Sequence, residues 1–183
     1  GVLCADQIGS LLGGKGRVVM VRYNPGSAST GDRESGFIDR IKKKFPEIKL
    51  VSTEEYANGS ASGAKEKINA IFSSEGTNID AIFCPALPLV QGVLQAVRAR
   101  DLNGKVKIVG FDQDKDLVDA LASGDIQALA VQDPFKMGEL SVKLGKDLLD
   151  GKKVDAVIDT GVKLITKETM EEEESKRLLN PDL

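Results

Sequence analysis

The chain has 183 residues, of which 41% are hydrophobic and 29% charged, and its formal net charge is −3. A slightly acidic chain lacks the basic face that nucleic acid binding requires, so we expect no nucleic acid partner. The sequence contains no histidine, and its two cysteines, Cys4 and Cys84, show no CxxC spacing. These counts exclude a Ser-His-Asp triad, a Cys-His pair and a histidine-ligated metal, and we expect neither a metal nor a cofactor.

Strand-like and helical patterns alternate along the chain. The predicted strands cover residues 17–23, 48–56, 80–86, 106–112, 126–134 and 157–166. The predicted helices cover residues 1–14, 32–45, 64–74, 89–100, 116–124 and 135–151. Several strands are apolar on both faces, which is typical of a parallel sheet covered by helices on both sides. We therefore predict an α/β fold with a doubly wound parallel sheet, followed by an acidic tail that forms a helix or a ragged end on the surface.

The first predicted helix, GVLCADQIGSLLGG, is short and amphipathic and ends at Gly13-Gly14. It does not read as a signal peptide, and it begins without an N-cap residue or a preceding strand. We expect from this that the chain begins inside something larger.

The loop NPGSASTGDRESGF, residues 24–37, follows the first strand and leads into a helix, as phosphate-binding loops do. A nucleotide-binding phosphate loop needs GxxxxGK followed by Ser or Thr. Here Gly26 and Gly31 have nearly that spacing, but Asp32 stands in place of the lysine. Since a carboxylate would repel an anion, we interpret this loop as something other than a phosphate site.

Ligands of doubly wound sheets bind at the carboxyl ends of the strands. Arg33, Asp112 and Gln132 fall near three such ends. Taken singly, Arg33 could be a solvent-facing residue paired with Asp32 or Glu34, and Asp112 could be a cap for the next helix. Together they supply a guanidinium, a carboxylate and an amide, which suit vicinal hydroxyl groups. This predicts a sugar site without a catalytic nucleophile.

Four separated segments carry a resemblance to a known family: GSASTGDRESGF, IVGFD, AVQDPFKMG and DTGVKLIT. In this order they resemble the second half of the ribose-type periplasmic sugar-binding proteins, the receptors of bacterial ABC sugar importers. The resemblance runs from Gly1 to about Lys167. It implies one lobe of the type 1 periplasmic binding fold, with a flavodoxin-like strand order, from a protein whose two lobes close on a sugar about a hinge.

The resemblance also assigns roles to residues. It implies that Arg33 donates hydrogen bonds to sugar hydroxyls, that Asp112 accepts from two of them, and that Gln132 adds one more. The loop that contains Tyr56 and Asn58 would supply a packing or polar contact.

A departure from the family follows the strand 80–86. The family shows Asn-Asp at this point, with the Asn contacting the sugar, whereas this chain reads Pro85-Ala86-Leu87-Pro88. Ala86 is kept as a candidate contact. Either the ligand is less polar at that edge, or binding has weakened.

The resemblance further implies a division of the chain into three parts. Residues 1–132 would form the sugar-binding lobe, 133–159 the hinge crossing and a helix that packs on a missing first lobe, and 160–183 the return strand and acidic tail. Five apolar residues of that helix would lose their partner: Phe135, Met137, Leu140, Leu144 and Leu148. The pattern alone also permits this helix to pack on the lobe that is present.

The function implied is a periplasmic or otherwise extracytoplasmic receptor that captures a monosaccharide and delivers it to the permease subunits of an ABC importer. It would not be an enzyme. Two alternatives stay open: the effector core of a lac-repressor-type regulator, and the sensing domain of a membrane receptor. A flavodoxin-like enzyme is a third, but its only candidate nucleophile is Cys84, whose apolar neighbours favour an inert thiol.

Overall fold

The structure, a computed structural model, describes residues 1–180. In this part of the chain seven helices and six strands alternate. The strands are β1 (Lys15–Arg22), β2 (Glu47–Tyr56), β3 (Ala81–Cys84), β4 (Lys107–Phe111), β5 (Ala128–Val131) and β6 (Lys163–Ile165). The helices are α1 (Val2–Leu11), α2 (Ala28–Lys44), α3 (Ala61–Glu75), α4 (Leu87–Arg98), α5 (Lys115–Ser123), α6 (Pro134–Leu149) and α7 (Glu173–Leu179).

The strands of the described chain form one sheet in the order β2-β1-β3-β4-β5-β6. β1 to β5 are parallel, and β6 runs antiparallel to β5. From β1 the chain moves outward to β2 and then crosses to the other side at β3. The strand order therefore reverses between β1 and β3, and this switch point is where sheets of this kind form a ligand crevice. The predicted doubly wound fold is confirmed.

Two hydrophobic layers hold the helices against the sheet. Val19 and Val21 belong to the layer under α3, α4, α5 and α7, whereas Val18 and Met20 belong to the layer under α1 and α2. This alternation follows from the two-residue period of a strand, and it explains why β1 must be apolar on both faces.

Most predicted elements exist, with shifted ends. α2 begins at Ala28, four residues before the predicted start at Asp32, because the small residues after Pro25 can already adopt helical geometry. Ser60 is the N-cap of α3, where its hydroxyl accepts from the Gly63 N–H. Gly124 ends α5 in the left-handed conformation, with φ of 86°, as its sequence position predicts.

Two predictions near the C-terminus need correction. The last strand covers Lys163–Ile165 rather than 157–166, because its partner β5 ends at Val131 and Asp133 already caps the next helix. The tail forms a helix, α7, which was one of the two predicted alternatives, but it does not lie only on the surface, because Leu178 and Leu179 are buried against the core.

α6 differs from the other helices, since within residues 1–180 it has no buried side chain. Of its apolar residues, Phe135, Val142, Leu148 and Leu149 are exposed, Leu149 to 90%. Met137, Leu140 and Leu144 are half-buried. Two of the five residues predicted to lack a partner are thus exposed, and Val142 and Leu149 were not predicted.

No helix among the described residues is both long and apolar enough to cross a membrane.

Candidate functional site

Arg33, Asp112 and Gln132 meet at the carboxyl rim of the sheet, although 99 residues separate the first from the last. Arg33 Nη2 donates to Gln132 Oε1 at 2.8 Å. Arg33 Nη1 lies 3.7 Å from Asp112 Oδ2. The structure therefore brings all three sequence-predicted residues into one cluster.

Arg33 is held in place from two further directions. Its Nη1 donates to the carbonyl oxygen of Pro85 at 2.7 Å, and its guanidinium lies 4.0 Å from the centre of the Phe111 ring. The side chain is 16% exposed, so the interpretation as a solvent residue paired with Asp32 or Glu34 is wrong. The bonds to Pro85 and Gln132 use two of the five N–H groups of the guanidinium, and the others remain available in this fixed plane.

Asp112 follows β4 directly in a left-handed conformation, with φ of 67°. It does not cap the next helix, because Asp114 is the N-cap of α5 and accepts from Leu117 N at 2.8 Å. Instead Asp112 Oδ2 accepts from Leu87 N, the first residue of α4, at 3.4 Å. Since a negative charge is favourable at a helix N-terminus, α4 helps to hold the carboxylate at the rim, where it stays 39% exposed.

Gln132 lies between β5 and α6 and is half-buried. Because its Oε1 accepts from Arg33, its amide nitrogen is turned away and can donate. The cluster thus combines fixed donors on Arg33 and Gln132 with an acceptor on Asp112. Fixed donors beside an ionised acceptor are suited to a polyhydroxylated ligand.

Tyr56 and Asn58 lie at the end of β2 and just after it. Tyr56 is half-buried, and its ring lies 5.0 Å from the guanidinium of Arg22. Asn58 is exposed, with φ of 51°. A contact between these residues and a ligand stays a prediction.

Sequence reasoning missed the importance of Glu34. Its side chain is only 3% exposed, and it accepts from Arg22 Nε at 2.8 Å and from the backbone N–H of Tyr23 at 3.0 Å. These bonds join the start of α2 to the end of β1 and so fix the position of Arg33. A helical repeat could have indicated this, since Glu34, Phe37 and Ile41 share the buried face of α2.

The thiols offer no reactive nucleophile. Cys4 and Cys84 are both buried. Burial raises the pKa of Cys4 to about 12 and also raises the pKa of Cys84, because an apolar interior disfavours the thiolate.

Known proteins resemble this chain in sequence and in fold. Residues 1–153 match the family of periplasmic binding protein domains. The chain is 30% identical over 167 residues to the ribose import binding protein RbsB of Haemophilus influenzae, covering 91% of this chain and 55% of that protein. It is 29% identical over 143 residues to the D-allose-binding periplasmic protein of Escherichia coli, covering 78% and 44%.

Solved structures show the same fold. A carbohydrate transporter solute binding protein from Agrobacterium radiobacter, in complex with D-arabinose, aligns with a TM-score of 0.91 and 34% identity over 98% of this chain and 62% of its own. An ABC transporter solute binding protein from Agrobacterium vitis, with bound D-fucose, aligns with a TM-score of 0.90 and 28% identity over 97% and 60%.

The chain folds as a doubly wound α/β sheet with a polar cluster at its carboxyl rim. The chain belongs to the periplasmic binding protein domain family. It spans about half the length of the curated relatives that it matches, 55% and 52% for two ribose import binding proteins.

Proposed function

We propose that this chain is the second lobe and hinge of a receptor that captures a monosaccharide and delivers it to an ABC importer. The receptor acts by binding and closure, without catalysis. The open form binds sugar at the rim of this lobe, and closure of a first lobe over it satisfies the remaining hydroxyls.

The observation that carries this proposal is the convergence of Arg33, Asp112 and Gln132 at the carboxyl rim of the sheet. Each side chain keeps hydrogen-bonding capacity after its contacts within the lobe, and each is fixed by those contacts. Preorganised polar groups lose little entropy when a ligand binds, which favours affinity. The named sugars of the relatives and of the solved structures support the same class of ligand.

The exposed face of α6 supports the proposed division of the chain at residues 132 and 159. The exposed apolar side chains of α6 favour burial against a partner, because each Å² of apolar surface that is covered contributes about 25 cal/mol of free energy. We assign the covering partner to a first lobe of the same protein. The half-length match to the relatives supports this assignment.

The proposal places the receptor outside the cytoplasm, with permease subunits as its protein partners. The naming of relatives as periplasmic and import binding proteins supports this location. The lac-repressor-type core and the membrane-receptor sensing domain gain no support from these relatives.

Isothermal titration calorimetry of the complete gene product that contains this chain tests the proposal. Against a panel of aldopentoses, aldohexoses and ketohexoses, we expect at least one sugar to bind with a Kd in the micromolar range or below. If none of these sugars binds, the proposal is contradicted.

The matched variants are Asp112→Asn and Asp116→Asn. Asp116 is exposed in the first turn of α5 and makes no hydrogen bond or ion pair with the three residues of the cluster, so its variant removes the same charge without removing a contact of the site. We expect Asp112→Asn to weaken binding about 100-fold, since hydrogen bonds to charged acceptors contribute about 1.5–3 kcal/mol each, and Asp116→Asn to bind as the parent does. Equal affinities for the two variants would remove Asp112 from the site.

A further inference from the structure

The C-terminal helix α7 lies beyond residues 1–153, the part of the chain that matches its family. In the described chain, the hydrogen bonds and ion pairs of α7 do not reach the three cluster residues directly. Two of them run instead to Gln113, which follows Asp112, and to Asp133, which follows Gln132. Two members of the rim cluster therefore each precede a residue that is bonded to the same helix.

α7 is anchored to the lobe at both of its ends. At its C-terminal end, Leu178 and Leu179 are buried in the hydrophobic layer that also contains the end of β5. At its N-terminal end, the Nζ of Lys163 in β6 donates to Glu172 and Glu174 at 2.9 Å each. Since buried leucines contribute more free energy than exposed ion pairs do, the leucines hold α7 in place and Lys163 ties its start to the sheet.

The first contact of α7 with a neighbour of the cluster comes from Gln113. Its Nε2 donates to the Leu178 carbonyl oxygen at 3.2 Å. The last four carbonyls of a helix have no partner within the helix, so Gln113 supplies a donor that α7 itself lacks. The preceding residue, Asp112, has φ of 67°, and its own N–H donates to the Ala130 carbonyl at 2.9 Å. A non-glycine residue in this left-handed region needs support from its surroundings, and β5 and α7 supply it from the two sides.

The second contact comes from Arg177, whose Nη2 donates to Asp133 Oδ2 at 2.7 Å. The other oxygen of Asp133 caps α6, so α6 and α7 hold this residue together. On the other side of Gln132, Val131 pairs with Lys163 of β6. Gln132 therefore lies between two residues that are tied to α7, one directly and one through Lys163.

These contacts matter for a ligand because hydrogen bonds depend steeply on geometry. A donor or acceptor that is displaced by about 0.5 Å, or that must be ordered when the ligand arrives, loses part of its contribution to affinity. Neither Asp112 nor Gln132 belongs to a strand or a helix, so their positions depend on the residues around them. Arg33 differs from both, since it lies within α2.

Resting on the proposed function, we propose that α7 is a brace for the sugar site. Arg177 and Gln113 are positioning residues, which do not touch the sugar and act on it through Gln132 and Asp112. The C-terminal helix thus raises the affinity for sugar without contributing a contact to the ligand.

A double-mutant cycle on the complete gene product tests the role of Arg177, with calorimetry of its tightest-binding sugar as the readout. Arg177→Met keeps the apolar stem of the side chain and removes its donors. We expect it to weaken binding about threefold to tenfold, because the loss cannot exceed the contribution of the hydrogen bond that Gln132 makes to the ligand. In the Gln132→Ala background, the same substitution should change the Kd less than about twofold, since the residue through which it acts is gone.

A merely structural role of Arg177 gives a different result. The folded Arg177→Met protein would then bind sugar as the parent does, or would lose the same factor with and without Gln132. Either result overturns the role of Arg177. Arg177→Lys keeps a charged donor and should bind sugar more tightly than Arg177→Met, and equal weakening in the two variants would overturn the role of the bond to Asp133.

The matched control is Arg98→Met. Arg98, the last residue of α4, forms an ion pair of the same 2.7 Å length with Asp125, and in both pairs the aspartate is the more buried partner. Asp125 does not adjoin a cluster residue in the chain, so we expect this variant to bind sugar as the parent does. A loss equal to that of Arg177→Met would overturn the inference.

Gln113→Met has a side chain of similar length without a donor, and it tests the other contact of α7 independently. We expect it to weaken binding about threefold to tenfold in the parent, and less than about twofold in the Asp112→Asn background. If Arg177→Met and Gln113→Met both bind as the parent does, α7 is not a brace, while the proposed function stands. If the parent itself binds no sugar of the panel, the proposed function fails and the inference fails with it.

Discussion

At the scale of single residues, the placement of Arg33 depends on its neighbour Glu34. The Glu34 carboxylate is buried, and both of its oxygens are bonded, one to Arg22 and one to the Tyr23 N–H. Arg22 also contacts Glu54 at 3.3 Å, but the Glu54 side chain is 79% exposed. One arginine therefore has a buried partner and an exposed partner, and the two carboxylates differ mainly in burial.

This difference predicts the effect of two matched substitutions. Glu34→Gln removes a buried charge that faces Arg22, and we expect it to lower the free energy of unfolding by about 3 kcal/mol. Glu54→Gln removes an exposed charge that faces the same guanidinium, and should cost less than about 1 kcal/mol. Urea denaturation followed by circular dichroism measures both values. Equal losses would show that the buried bonds do not hold α2 on β1.

The cluster itself was predictable from sequence because each of its members follows a strand. Arg33, Asp112 and Gln132 were named from their positions after apolar segments, and the parallel sheet then brings such positions to one rim. The bonds among them were not predictable. Whether Arg33 pairs with Asp32, Glu34 or Gln132 depends on the direction in which α2 leaves the sheet, and local sequence does not encode that direction.

At the scale of elements, the start of α6 depends on Asp133. This residue is the N-cap of α6 and accepts from Lys136 N at 3.0 Å, and its other oxygen accepts from Arg177 of α7 at 2.7 Å. The bond from the Lys136 N–H, followed by the bond from Arg177, lowers the pKa of Asp133 below its ordinary value. Asp133 thereby connects the helix after the rim to the C-terminal helix.

A lowered pKa in the folded state makes this contribution to stability dependent on pH. The ionised carboxylate stabilises the fold above the unfolded-state pKa of about 3.9, and its contribution is lost as pH falls through the lower folded-state value. We expect the stability difference between the parent and Asp133→Asn to be constant near neutral pH and to shrink below about pH 4. Urea denaturation at several pH values measures it. Asp116→Asn is the control, and a difference for Asp133→Asn that does not change with pH would contradict the assignment.

Some helix ends have their own local signals. Gly124, the last residue of the predicted helix 116–124, ends α5 in a left-handed conformation, and Ser60 caps α3 four residues before the predicted start at residue 64, because such signals act within a few residues. The segment 157–162 was predicted as part of the last strand, but a strand also needs a partner, and β5 ends too early to supply one. The same limit applies to α7, whose buried leucines depend on distant parts of the core.

At the scale of the whole molecule, two surfaces of this lobe suit a partner. One is the polar rim, where the cluster faces outward. The other is the apolar face of α6, where Phe135, Val142 and Leu149 recur every seven residues and are all exposed. A groove lined by Asp133, Phe135 and Arg177 lies where α6 begins, so the exposed face starts directly beside Gln132. A single covering lobe could close over the rim and pack on α6.

The proposed binding site can be tested with a structure of the complete gene product bound to its tightest-binding sugar. We expect sugar oxygens within about 3.2 Å of Arg33, Asp112 and Gln132, and a preceding lobe that covers the apolar face of α6. A sugar bound elsewhere, with these three side chains bonded only to one another, would contradict the proposal.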